Sequence, residues 1–166
     1  MLIEVKVAGL ALDPNSNMPM VLLADPEKKK TLPIWIGIFE ASAIATQLEG
    51  IRLARPMTHD LVRNVIETVG AKVLRVEIHD LKENTFYASL VVQGREGNEL
   101  RVDARPSDAI AVALRFGAPI LVESRLLDEA PKAPQAKDLK AGTKTVEEWA
   151  ELLKNLSDEA FGKYKM

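Results

Sequence analysis

The chain has 166 residues, 47% of them hydrophobic and 28% charged, with a formal net charge of −2; this is enough apolar material for one sizeable core in a single domain. It contains no cysteine and only two histidines, His59 and His79, which excludes disulfides, thiolate metal sites and cysteine nucleophiles and leaves little for a histidine-rich zinc site. A slightly acidic balance argues against a high-affinity nucleic-acid binder built on a basic face, though it says little about an enzyme that binds briefly.

No stretch is long and apolar enough to span a bilayer, and the N-terminus lacks a signal-peptide pattern, so a cytoplasmic protein without membrane partners is expected. Residues Leu2 to Leu12 alternate in the period of a half-buried strand. "LDPNSNM" reads as a loop. "MPMVLLA" and "KTLPIWI" flank "DPEKKK" as a hairpin with a charged turn, and Pro33 marks the second run as an edge strand or a bulge. From Ile38 the period changes to that of a helix, "IFEASAIATQLEG", stopped by Gly50. A second helix starts near Thr58 with Leu61, Val62, Val65, Ile66 and Val69 as its apolar stripe and Gly70 as its stop.

Three strands follow, "KVLRVEIHDL", "TFYASLVVQG" and "NELRVDAR", joined by connections short enough for an antiparallel meander. The middle one is apolar on both faces, which predicts an interior strand. A third helix begins after Arg105, and "APILVES" reads as a last short strand. From Ala130 to Lys144 the composition shifts to Pro, Lys, Ala and Gly, a linker or extended wrap. "TVEEWAELLKNL" carries Thr145 and Glu148 at capping-box spacing and one apolar stripe, so residues 145–166 are predicted as a helical tail that docks on its own domain (1–129) or on a second subunit. The order predicts an α+β fold with a mixed, mainly antiparallel sheet, three helices packed on it and the helical tail.

Two segments share a pattern: Ala-Arg-Pro, a helix, then Gly-Ala, at Ala54–Ala71 and again at Ala104–Ala118. Proline at a helix start is ordinary punctuation, Thr58 and Ser107 read as N-caps, and Asp60 and Asp108 suit the positive end of the helix dipole. Arg55 and Arg105 need a further reason. Beside a helix N-terminus each is suited to hold phosphate, or each pairs with the aspartate of its own helix. Glu40, Asp60, Asp103 and Asp108 are candidate carboxylates for Mg²⁺ or Mn²⁺, although no established metal or nucleotide-binding motif is present. A histidine in a first helical turn, as at His59, suits the neutral form and a base role; the alternative is a solvated side chain. Ser107 lacks the setting of a nucleophile. Lys28, Lys29 and Lys30 read as a solvated turn or a small basic patch, and Trp35 and Trp149 as core or interface anchors.

In this order, "LPIWIGIFEASAIA", "RPMTHDLV" and "VDARPSDAIAVALRFGAPI" resemble the bifunctional nuclease family, in its bacterial single-domain form, over about Met1 to Glu129. The resemblance implies degradation of DNA and RNA, with a divalent metal such as Mg²⁺ or Mn²⁺. Its motif positions fall on Glu40, Arg55, His59, Asp60, Arg105, Ser107 and Asp108. The expected site has His59, Glu40, Asp60, Arg105 and Asp108 as catalytic groups and Arg55, Arg105 and Ser107 as phosphate ligands. Asp103 and Asp108 are the expected metal ligands. A homodimer is expected, with the tail helix a candidate for the contact. Two alternatives stay open: a non-enzymatic module that binds an anion or a partner, and a hydrolase of small phosphate esters.

Overall fold

Strand β1 (Leu2–Leu12) organises the molecule by pairing with two partners in succession. Leu2 to Val5 run antiparallel to β7 (Ile120–Glu123), and from Lys6 on the strand runs antiparallel to β2 (Pro19–Ala24), with a bulge between Val7 and Gly9. The computed structural model describes residues 1–27 and 29–130. Lys28, the rest of the predicted linker and the predicted tail helix with Trp149 lie outside the described residues.

Seven strands form one sheet in the order β3-β2-β1-β7-β4-β5-β6, where β3 is Thr31–Trp35, β4 Lys72–Lys82, β5 Thr85–Gln93 and β6 Glu99–Ala104. Every pairing is antiparallel except β4 with β7. The sheet is therefore mixed and mainly antiparallel, and the fold α+β. Pro33 sits on an edge strand, where its missing N–H costs no ladder bond. The β4–β5 connection turns on Glu83 and Asn84, both at positive φ, the geometry of the two-residue hairpin turns that match strand twist.

Helices α1 (Ile38–Leu48), α2 (Thr58–Thr68) and α3 (Pro106–Phe116) lie over the sheet, and the five-residue α4 (Ser124–Asp128) follows β7. Helix α3 is the centre of this layer, touching α1, α2, β4 and β5. Ala109, Ala111 and Ala113 are fully buried along it and let the neighbouring elements approach closely.

The repeated segments behave alike only in their second halves. Both helices close with the same capping bonds, Ala71 N–H to the Ile66 carbonyl and Ala118 N–H to the Ala113 carbonyl, each 3.0 Å, around glycines at φ +74 and +62. Each then feeds one of the two parallel neighbours, β4 and β7. The first halves differ. Helix α2 is capped by Met57, not Thr58, and α3 by Arg105, not Ser107. In α3 the proline itself takes the first helical position, which its fixed φ suits.

The predicted stripe on α2 is present but faces the wrong way for a core helix. No residue of α2 is buried. Ile66 reaches the core, while Leu61, Val62, Val65 and Val69 stand 56, 36, 52 and 58% exposed. Trp35 is also outside the core: it is 42% exposed, and its ring N–H donates to Asp13 at 2.8 Å. On the sheet face away from the helices, Glu77 is buried and bonded by Arg75 (2.6 Å) and Arg101 (2.5 Å). Burial alone would raise this carboxyl, but the two guanidiniums hold it below its ordinary range.

Candidate active site

The N-terminal ends of α1, α2 and α3 meet at one place. Gly37 caps α1 in extended conformation, and the absence of a side chain there leaves room for the Glu40 carboxylate, which folds back over the helix start. Arg105 caps α3 and reaches Glu40 at 3.0 Å and Asp108 at 2.8 Å. The other oxygen of Asp108 meets His59 Nε2 at 2.9 Å, across from α2. Glu40, Arg105, Asp108 and His59 thus form one continuous chain of contacts. They line a cleft of about 350 Å³ together with Leu53 and Met57, a volume suited to a small ligand or a nucleotide segment.

Burial alone would raise the Asp108 carboxyl, but Arg105 and then His59 outweigh it and hold the group below its usual range. Asp108 consequently stays ionised at neutral pH. The Arg105 guanidinium is raised in turn, chiefly by Asp108. Its side chain remains 67% exposed, so it can turn toward a ligand without breaking the core. Asp108 fixes the orientation of the His59 ring through Nε2, and among the described residues Nδ1 has no bonded partner. A ring held this way can accept or give a proton at its second nitrogen.

Asp60 belongs to the same cleft but works differently. One oxygen accepts the Met57 backbone N–H at 2.9 Å and the other accepts Arg115 Nε at 2.6 Å. Arg115 is buried and also donates to the carbonyls of Ala43 (3.0 Å) and Ala111 (2.9 Å). One side chain therefore ties α1, α2 and α3 together behind the site. Sequence reasoning overlooked Arg115. The available signal was its spacing, seven residues after Asp108 on the same helical face, in an otherwise apolar run.

The remaining candidates lie elsewhere. Arg55 is exposed in the loop before α2, outside the cleft lining and without an ion pair to any described residue. Asp103 is exposed on β6, also outside the lining, so it does not join Asp108. Ser107 is buried at the start of α3 and lines a neighbouring groove of about 330 Å³ that shares Glu40 and Arg105 with the cleft. His79 meets Ser89 at 3.1 Å on the far face of the sheet. Of the two arginines at the helix mouths, only Arg105 pairs with the aspartate of its own helix; Asp60 is taken by Arg115. Among the described residues, no three Asp, Glu or His side chains gather as ready-made metal ligands.

Residues 21–135 match the family model of the bifunctional nuclease domain. The chain belongs to this family. An uncharacterized protein of Mycobacterium tuberculosis is 40% identical over 163 residues, spanning 95% of this chain and 97% of that protein. The rice protein named bifunctional nuclease 1 is 29% identical over 109 residues, 64% of this chain but 33% of the plant protein. An Arabidopsis thaliana bifunctional nuclease 2 is 27% identical over 97 residues, 57% of this chain and 30% of its own length. The family match contains all of Glu40, His59, Asp60, Arg105, Asp108 and Arg115. Among the described residues, no helix is long and apolar enough to cross a membrane.

Proposed function

We propose that the cleft hydrolyses phosphodiester bonds in nucleic acid, both DNA and RNA, by contacting the phosphate and leaving the sugar unread. The observation that supports this most is that one carboxylate, Asp108, holds both an imidazole, His59, and a guanidinium, Arg105, at the mouths of adjacent helices. In this reading Arg105 turns from Glu40 and Asp108 to grip two phosphate oxygens. His59 takes the proton of the attacking water and Asp108 stabilises the imidazolium that results. Asp60 is a positioning residue: it sets the start of α2, and so the place of His59.

Three carboxylates (Glu40, Asp60, Asp108) face two guanidiniums (Arg105, Arg115) in the cleft, which leaves an excess negative charge when His59 is neutral. Such a site repels phosphate unless a cation joins it. Glu40 and Asp108 would hold Mg²⁺ or Mn²⁺ in the manner of ions that take one or two carboxylates and complete their shell with water and substrate phosphate. When bound, the ion would polarise the phosphoryl group and offset its charge.

The test is cleavage of single-stranded RNA and double-stranded DNA, each with Mg²⁺, Mn²⁺ or EDTA, by the wild-type protein and by His59→Ala and Arg105→Ala purified in parallel. Metal-dependent cleavage that both variants lose while remaining folded is expected. Cleavage that survives in both, or its absence from the wild type, would refute the reading. A second reading, an anion-binding module without catalysis, draws on the Arg105–Asp108 pair, which already satisfies the arginine within its own helix mouth. It gains if a phosphate-containing ligand protects the protein thermally but is never cleaved.

A further inference from the structure

We infer that the free edge of β6 is the contact between two copies of this chain, paired antiparallel about a twofold axis at Val102. β6 ends the sheet, so one row of its backbone N–H and C=O groups has no partner strand among the described residues. Proteins usually blunt such an edge with a bulge, a proline or charged side chains; β6 has no bulge and no proline, and its charges Glu99, Arg101 and Asp103 alternate onto the face away from the helices. Here it carries Leu100 and Val102, 51 and 49% exposed. The β5 register sets them opposite Val92 and Leu90, which belong to the helix-side core. Their side chains therefore continue a buried surface beyond the point where this chain covers it.

The residue order identifies the occupant. Glu99-Leu100-Arg101-Val102-Asp103-Ala104 is complementary to itself when reversed about Val102. In an antiparallel pair directly opposed residues share a face. With Val102 opposite the partner subunit's Val102, Leu100 opposes the partner's Ala104 and Arg101 opposes the partner's Asp103. The apolar residues meet on the helix side and opposite charges meet on the other. A shift of one pair, with Arg101 on the axis, would set two arginines against each other and Glu99 against the partner's Asp103. Asp103 makes no ion pair with any described residue of its own chain, and this register gives it one.

The second apolar surface supports the same occupant. Helix α2 touches α3 and β4, and Gly70 at its C-terminus lies against Arg95 in the β5–β6 turn. Its outward stripe of Leu61, Val62, Val65 and Val69 has no cover among the described residues. Joining two copies along β6 brings the β5–β6 turn, and with it the C-terminal end of α2, toward the partner subunit. A twofold contact needs one patch that matches itself, and β6 with α2 supplies both the backbone pairing and the apolar area. One step further, the register faces Arg105 with the partner's Glu99, so the interface runs up to the cleft.

Because the natural chain has no cysteine, full-length Val102→Cys can bond only to another copy at this position. Directly opposed antiparallel residues lie within disulfide range, whereas Leu100 and the partner's Leu100 would be four positions out of step and beyond it. The expected results are a solution mass twice the 18.3 kDa of one chain, rapid oxidative cross-linking of Val102→Cys, and little for Leu100→Cys. Asp103→Lys should convert the dimer to monomer with the circular dichroism spectrum of the fold retained. A wild-type monomer at tens of micromolar would overturn the proposal and leave the tail or another protein to cover α2. A dimer that cross-links through Leu100→Cys but not Val102→Cys, or that survives Asp103→Lys unchanged, would overturn it as well.

Discussion

Replacing Asp60 by asparagine is the most informative single perturbation of the frame behind the site. The carboxylate accepts two bonds from opposite sides, Arg115 Nε at 2.6 Å and the Met57 N–H at 2.9 Å. An amide can keep one acceptor in place but presents NH₂ to the other donor. Removing one partner of a buried ion pair costs about 3–5 kcal/mol. Asp60 is 35% exposed while Arg115 is 4% exposed, so screening reduces that figure to roughly 2 kcal/mol. Loss of the capping bond adds about 1 kcal/mol. The expected deficit for Asp60→Asn is therefore about 2–4 kcal/mol at pH 7, measured by urea unfolding. Burial alone would raise the Asp60 carboxyl, but Met57, Arg115 and His59 together hold it below its ordinary 3.8. The stability it contributes is thus full above that value and lost as pH falls through the lowered one. The gap between wild type and Asp60→Asn should close in the same acidic range. A deficit under about 1 kcal/mol at pH 7, or one that persists unchanged in acid, would refute the role assigned to Asp60 and Arg115.

Other expectations follow from the same geometry. Asp108→Asn should lower cleavage more than it lowers stability, because His59 loses its orienting charge; comparing kcat with the urea midpoint separates the two. Glu77→Gln should destabilise by about 3 kcal/mol in urea unfolding, since Arg75 and Arg101 then crowd a neutral group in a nearly buried position. Gly70→Ala should cost about 1–2 kcal/mol, because φ is +74 and the added carbon would press on the Arg95 side chain; a neutral thermal shift would contradict that. Arg55→Ala should leave both stability and cleavage near wild type, in contrast to Arg105→Ala.

Much of the fold was legible because period and punctuation agree locally. Pro33 marked an edge strand or a bulge and lies on an edge strand, Lys82–Thr85 is a tight hairpin, and Gly50, Gly70 and Gly117 close α1, α2 and α3. The helix starts were misread for a physical reason. Thr58 and Ser107 are strong capping types, but proline fixes its own φ. At Pro106 that takes the first helical position and moves the cap back to Arg105; before α2 a residue intervenes, and the cap falls on Met57. The direction of the α2 stripe was not legible at all. A 3.6-residue period reveals that a helix has an apolar face; what that face meets is decided by chain segments or copies distant in sequence.

The site was legible where its residues share a helix and obscure where they do not. Arg105 and Asp108 are three apart on one helix mouth, and the sequence places them together without help. His59 and Asp108 are 49 residues apart, and their bond exists because α2 packs against α3. The arginine that secures this packing sits at the far end of α3, where a cation beside the helix C-terminus is the ordinary reading. Arg115 departs from that reading because its guanidinium runs back along the helix to the Ala111 carbonyl and outward to Ala43 and Asp60. Asp60 and Arg55, matched in sequence to Asp108 and Arg105, therefore have different work. The first copy of the pattern supplies the strut, Asp60, together with His59, and the second supplies the paired Arg105 and Asp108, a division that the likeness of their sequences conceals.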